Sequence, residues 1–138
     1  MLNLICQLSS FYMLGAIWLI QLVHYPSFLL VAPERFQAFH TMHTGRMGLL
    51  VGPMMILELA SSILLLITED NIWSVSNLLL VVGIWVSTFA VSVPLHNKLV
   101  LGFNQEVIQQ LIQTNWIRTL LWTMKAAVVT YWLYYKER

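Results

Sequence analysis

Met47 to Val93 reads MGLLVGPMMILELASSILLLITEDNIWSVSNLLLVVGIWVSTFAVSV. Its only charges are Glu58, Glu69 and Asp70. Two apolar runs, 47–68 and 72–93, flank the polar turn Thr68-Glu69-Asp70-Asn71. A helix needs about 20 mainly apolar residues to cross a bilayer, and each run has that length. The stretch therefore reads as a transmembrane hairpin. Asp70 or Asn71 can cap the second of its helices, whose N-terminus favours acidic neighbours. Pro94 is expected to end that helix.

Working outward, a first run from about 4 to 31 and a fourth from about 116 to 135 have the same character. No charge precedes Glu34, and none lies between Asp70 and Lys98. The 138 residues are 59% hydrophobic and 9% charged, where a soluble domain carries roughly 25% charged residues. The expectation is a single all-α domain, 1–138, built as an integral membrane four-helix bundle. The N-terminal run has no positive segment before it, exceeds a signal-peptide core and lacks a cleavage site, so it reads as the first span. A net charge of +1 offers no basic field for nucleic acid. The lone Cys6 reads as a small buried residue, with no metal or redox spacing.

Two segments need separate treatment. Pro33-Glu34 is a helix-start signal, and Phe36, His40, His43 and Met47 follow on one helical face. That helix is expected to run into the second span and to bend near Gly45–Gly48 or Pro53. From 102 to 114, Val107, Ile108, Leu111 and Ile112 oppose Asn104, Gln105, Gln109, Gln110 and Gln113. This predicts a short amphipathic helix lying at the interface before the fourth span.

Hairpin topology sends most of the polar chemistry to one membrane side. His24, Glu34, Arg35, His40, His43, Arg46, His96, Asn97, Lys98, Asn115 and Arg118 share it; Glu69, Asp70 and the C-terminal Lys136, Glu137 and Arg138 fall on the other. The positive-inside rule puts the histidine-bearing side in the cytoplasm. Polar residues also form stripes inside the spans: Gln7, Ser10, Gln21 and His24; His40, His43, Met54 and Glu58; Asn77, Thr88 and Ser92; Asn115, Arg118, Trp122 and Lys125. Lipid cannot satisfy such groups, so they face the bundle interior or a cavity. Glu58 and Lys125 lie deep enough to pair. That pair reads either as glue between helices or as a proton relay or substrate contact.

Imidazoles with one or two carboxylates suit iron, copper or zinc, and two axial histidines suit haem. The candidate metal ligands are His24, His40, His43, His96 and Glu34. His24, His96 and Trp122 are candidate cofactor contacts, with Trp122 placed to stack on a flat ligand. The candidate catalytic groups are His40, His43, Arg118, Asn97 and Glu58. Arg118 would hold a ligand oxyanion, the histidines would bind metal or act as base, and Asn97 with Lys98 would orient substrate at the mouth.

Pro94-Leu95-His96-Asn97-Lys98-Leu99, followed by Asn115-Trp116-Ile117-Arg118-Thr119, resembles the C-terminal half of the DUF1772 family. These are small four-helix membrane proteins that include the anthrone oxygenases of aromatic polyketide pathways. The match lies at Pro94, Asn97 (or His96 by a one-residue shift), Leu99, Trp116 and Arg118. The first half, with Tyr25-Pro26, Phe36, His40, His43, Pro53 and Glu58, is more similar to a histidine-rich subgroup of related membrane proteins. The resemblance implies the four-helix fold, with oxidation of a flat lipophilic aromatic as one activity.

Three functions follow as expectations. The first is a membrane oxidoreductase or oxygenase for a lipophilic aromatic or quinone-like molecule that arrives from the bilayer. The second is a non-enzymatic haem- or metal-binding protein for electron transfer or sensing. The third is a small transporter or accessory subunit, which at this length would need a homo-oligomer.

Overall fold

The structure is a computed structural model, described here over residues 1–136, with the side chain of Lys136 left out. Glu137 and Arg138, expected on the far side, lie outside the described residues. The chain is all helical. Its four long helices are α1 (Leu2–Leu30), α2 (Pro33–Thr68), α3 (Ile72–Leu99) and α4 (Gln105–Lys136). They form a bundle, and the first three are long and apolar enough to cross a membrane, the mark of a multi-pass membrane protein.

The hairpin turn forms as its sequence dictates. Asn71 is the cap of α3: its Oδ1 accepts from the backbone N–H of Trp73 (2.9 Å) and Ser74 (3.1 Å), and Ser74 Oγ accepts from Asn71 N–H. Segment 33–45 joins the second span in one uninterrupted helix that passes through Pro53.

Two expectations are overturned. Pro94 does not end α3. A π turn at Thr88–Ser92 precedes it, and the helix continues to Leu99. α1 repeats the device, with a π turn at Ile20–His24 and Pro26 two residues later. A π turn accommodates one extra residue, so the chain can pass a proline that has no N–H to give and no room for a tight turn. The extra residue also rotates the downstream face by about 100°. In both helices the rotated segment carries a histidine.

The second correction concerns 102–114. No separate interfacial helix forms; Gln105 begins a helix that runs straight to Lys136. Gly102, at φ +128°, makes the turn into it, and Asn104 Oδ1 accepts from Val107 N–H at 3.0 Å. Val107, Ile108 and Leu111 bury their apolar face on Phe28, Phe36 and Leu99. Protein, not the lipid interface, was the available apolar partner.

Along the bundle axis the interior is layered. At the histidine-bearing end sits an apolar plug that includes Phe28, Phe36, Leu99, Ile108 and Leu111. Next come the histidines, then Gln21, Ser92, Asn115 and Arg118. A second apolar cluster, Met13, Ile17, Met55, Ile84 and Trp122, follows. Below it lie Glu58 and Lys125, and Cys6, Leu65, Val129 and Trp132 close the far end.

Candidate functional site

The deeper polar layer is closed. Lys125 Nζ meets Glu58 Oε1 at 2.8 Å and donates to Ser10 Oγ. Trp122 Nε1 donates to the other Glu58 oxygen at 2.9 Å. Asn77 Nδ2 donates to Ser62 Oγ at 2.8 Å, tying in α3. Both Glu58 oxygens are occupied, and Glu58 and Lys125 are 1% and 0% exposed. Charges buried this deeply persist only when paired and hydrogen-bonded. Glu58, a candidate catalytic group from sequence, thus ties α2 to α4 through Lys125 and Trp122. Trp122 is likewise not free to stack on a ligand. It is wholly buried, its N–H is taken by Glu58, and the Arg118 guanidinium lies over its ring, 5.2 Å from the centroid.

The histidine layer is different. The four imidazoles come from three helices and lie together. His24 Nε2 contacts His43 Nδ1, and His40 Nε2 lies 3.0 Å from His96 Nδ1. His43 and His96 stack at 5.5 Å with 26° between their planes. His96 Nε2 is 3.0 Å from the Tyr25 hydroxyl. The π turns and prolines of α1 and α3 set Tyr25 and His96 facing inward. Phe28 meets the rings of His24, His40 and His43 edge-on, and Phe36 stacks on His40. The plug thus shuts this layer off from the near membrane face.

One step deeper, Arg118 is 6% exposed. Its Nη1 donates to Ser92 Oγ (3.3 Å) and Asn115 Oδ1 (3.2 Å), while Nε is buried with no partner. Asn115 is held in turn by Gln21, whose Oε1 accepts from Asn115 Nδ2 at 2.9 Å and from Thr119 Oγ1 at 3.2 Å. Among the described residues the only ion pair is Glu58–Lys125, so no carboxylate balances Arg118. A buried cation without a counter-charge is costly.

This guanidinium lines a cavity of about 210 Å³ with Tyr25, His43, His96, Thr88 and the α2 face at Gly48 and Gly52. A second, apolar groove of about 450 Å³ lies between α1 and α2 and shares Ile20, Met47 and Val51 with the cavity; His24 stands at its wall. A Cβ added at Gly45, Gly48 or Gly52 meets nothing within 4 Å. The upper half of α2 is thus open on its sides. A larger groove of about 610 Å³ between α1 and α4 is lined almost wholly by carbon and carries no chemistry.

No protein family, curated protein or solved structure matches this chain.

The structure does not assemble the expected metal set. Glu34 is exposed on the first turn of α2, away from the imidazoles. Among the described residues no three His, Cys, Asp or Glu side chains could hold one ion. The physical reason is orientation. The ring nitrogens pair with each other, and His43 and His96 present faces rather than nitrogens to a common point. Asn97, expected to orient substrate, is exposed with Lys98 on the outer side of α3, one residue past the inward-facing His96. The residues that sequence reasoning missed are Tyr25 and the Gly48/Gly52 face, whereas Thr88, from the polar stripe of the third span, does line the cavity. The signal for Tyr25 was present: it follows His24 and precedes Pro26, and only the π turn rotates it inward.

Proposed function

We propose that this protein is a membrane-embedded oxidoreductase or oxygenase for a lipophilic phenol-, enol- or quinol-like molecule. Arg118 carries the reading. It is a buried guanidinium with no carboxylate partner among the described residues, on the wall of a cavity that also presents two imidazoles and a phenol. An ionised oxygen on the ligand would supply the missing counter-charge and accept the unused guanidinium donors. Preorganised donors in a water-poor cavity stabilise such an oxyanion far more than water does. The ionised ring is electron-rich, and dioxygen dissolved in the bilayer is the oxidant class the reading names. Access is lateral, from lipid past the open face of α2, because the plug of Phe28 and Phe36 closes the axial route. The chain is then a relative in kind of the DUF1772 oxygenases, a kinship that rests on Pro94, Trp116 and Arg118.

The same reading makes α4 a fourth span. Its two interior cations are both turned into the bundle, whereas Trp116, Ile117, Leu120 and Met124 form an exposed apolar outer face. The histidine-bearing end would face the cytoplasm, where the cationic Arg35, Arg46 and Lys98 belong.

Oxygen uptake tests the function. The purified protein in lipid nanodiscs, supplied with anthrone or an alkyl hydroquinone, should consume oxygen, and Arg118→Gln should slow consumption about 100-fold, the loss typical of one oxyanion donor. Equal rates for wild type and variant would end the proposal.

A further inference from the structure

We infer that Tyr25, His96 and His40 form a proton relay that removes the ligand's proton from the Arg118 cavity and stores it on His40. This deepens the reading above and rests on it.

The chain is continuous: Tyr25 hydroxyl to His96 Nε2 at 3.0 Å, and His96 Nδ1 to His40 Nε2 at 3.0 Å. Tyr25 and His96 line the cavity; His40 does not, and is 1% exposed. The two ends of the relay thus differ in kind. One meets the ligand and the other is sealed under the plug. At the sealed end His40 Nδ1 is buried with no partner.

The transfers balance. In the resting chain Tyr25 donates to His96 Nε2, the other His96 hydrogen is on Nδ1 and points to His40 Nε2, and the His40 hydrogen is on Nδ1. The ligand hydroxyl passes its proton to the Tyr25 oxygen as Tyr25 passes its own to His96 Nε2. His96 releases its Nδ1 proton to His40 Nε2. Tyr25 and His96 end neutral, His96 in its other tautomer. His40 ends as imidazolium and the ligand as an oxyanion on Arg118. No electron moves.

Charge separation explains why the proton should travel. Left on His96, it would stand in the field of Arg118, which acts on both His96 and Tyr25. On His40 it lies one residue further away and against the face of Phe36, with ring centroids 5.8 Å apart and 16° between planes. An aromatic face attracts a cation at this range. The charged and titratable groups around the relay are Arg118, His43 and His24. The latter two form their own pair, and His43 alone reaches the cavity from the α2 side. It is the competing acceptor.

The test uses a heptyl-bearing nitrophenol, whose phenolate absorbs in the visible, bound to the full-length protein in nanodiscs. Stopped-flow absorbance follows phenolate formation, and nitrogen NMR of histidine-labelled protein follows imidazolium. Wild type should form one imidazolium per phenolate. Tyr25→Phe and His40→Gln should each slow phenolate formation by the bound probe about 100-fold, the usual contribution of a positioned base, and lose the imidazolium signal, while His40→Gln, at a residue off the cavity wall, should take up the un-ionised probe as wild type does. His43→Gln should keep both. An ionised probe whose imidazolium survives in His40→Gln and vanishes in His43→Gln overturns the relay alone. A probe that stays un-ionised in wild type overturns the Arg118 oxyanion site, and the relay with it.

Discussion

Two polar layers cross this bundle, and they are built to opposite rules. In the Glu58–Lys125 layer each charge has its opposite, and both carboxylate oxygens and the Trp122 N–H are engaged. Neither Glu58 nor Lys125 lines the cavity beside Arg118. In the Arg118–histidine layer the guanidinium has no carboxylate partner among the described residues, Arg118 Nε and His40 Nδ1 are buried without partners, and a cavity opens beside Arg118. Both layers are built from buried charged and polar side chains in an apolar chain. The difference teaches that buried charge alone does not mark a site. Incomplete satisfaction next to empty space does, because a structure holds such groups only if something else repays the desolvation.

The comparison breaks most readily at its closed half. Glu58→Ala should destabilise the fold by about 3–5 kcal/mol, the penalty for stranding a buried Lys125. Reversible unfolding in mixed micelles measures it. Glu58→Leu with Lys125→Met should recover most of that loss, since an apolar pair of similar volume is often neutral. A mild effect of Glu58→Ala would show that this layer is not the clamp.

Arg118→Gln should do the reverse. Removing an unbalanced buried cation should leave stability within about 1 kcal/mol of wild type or raise it, while the oxygen consumption predicted above collapses. A large loss of stability in this variant would make Arg118 structural and erase the contrast between the layers.

The smallest effect sharpens the open half. Gly48→Leu places a side chain into space that holds no atom within 4 Å of a new Cβ. Replacing an interior helix glycine should stabilise by about 0.5–1 kcal/mol, yet the added side chain should shrink the cavity and weaken nitrophenol binding. Unchanged binding would mean that the ligand does not occupy the space beside α2.

Much of the fold was legible because a bilayer asks for long apolar runs, and these can be counted. The hairpin at 68–71, the helix from Pro33 through the second span, and the shared end of the four histidines all follow from run lengths and topology. The Glu58–Lys125 contact was readable from depth, and the structure makes it, with both Glu58 oxygens hydrogen-bonded. Pro94 misled because proline stops a regular α-helix, whereas a π turn upstream absorbs it. The segment 102–114 misled because an amphipathic face specifies only that an apolar partner exists; here it was Phe28, Phe36 and Leu99 rather than lipid. Glu34 and Asn97 were placed on the correct end but on the wrong face. Helix ends carry no periodicity long enough to fix rotation, and one residue of rotation separates the inward His96 from the outward Asn97.

By itself, the order of residues determined that this chain is helical, apolar enough to cross a membrane several times, and polar mainly at one end. Those properties depend on composition along each helix, which needs no partner to be expressed. Only the tertiary structure decided which polar groups pair and which are left wanting. That depends on helix rotation, set by two π turns and by the packing of the Phe28–Phe36 plug. It is why the imidazoles pair with one another, why Trp122 is covered by Arg118, and why Tyr25 stands at the cavity.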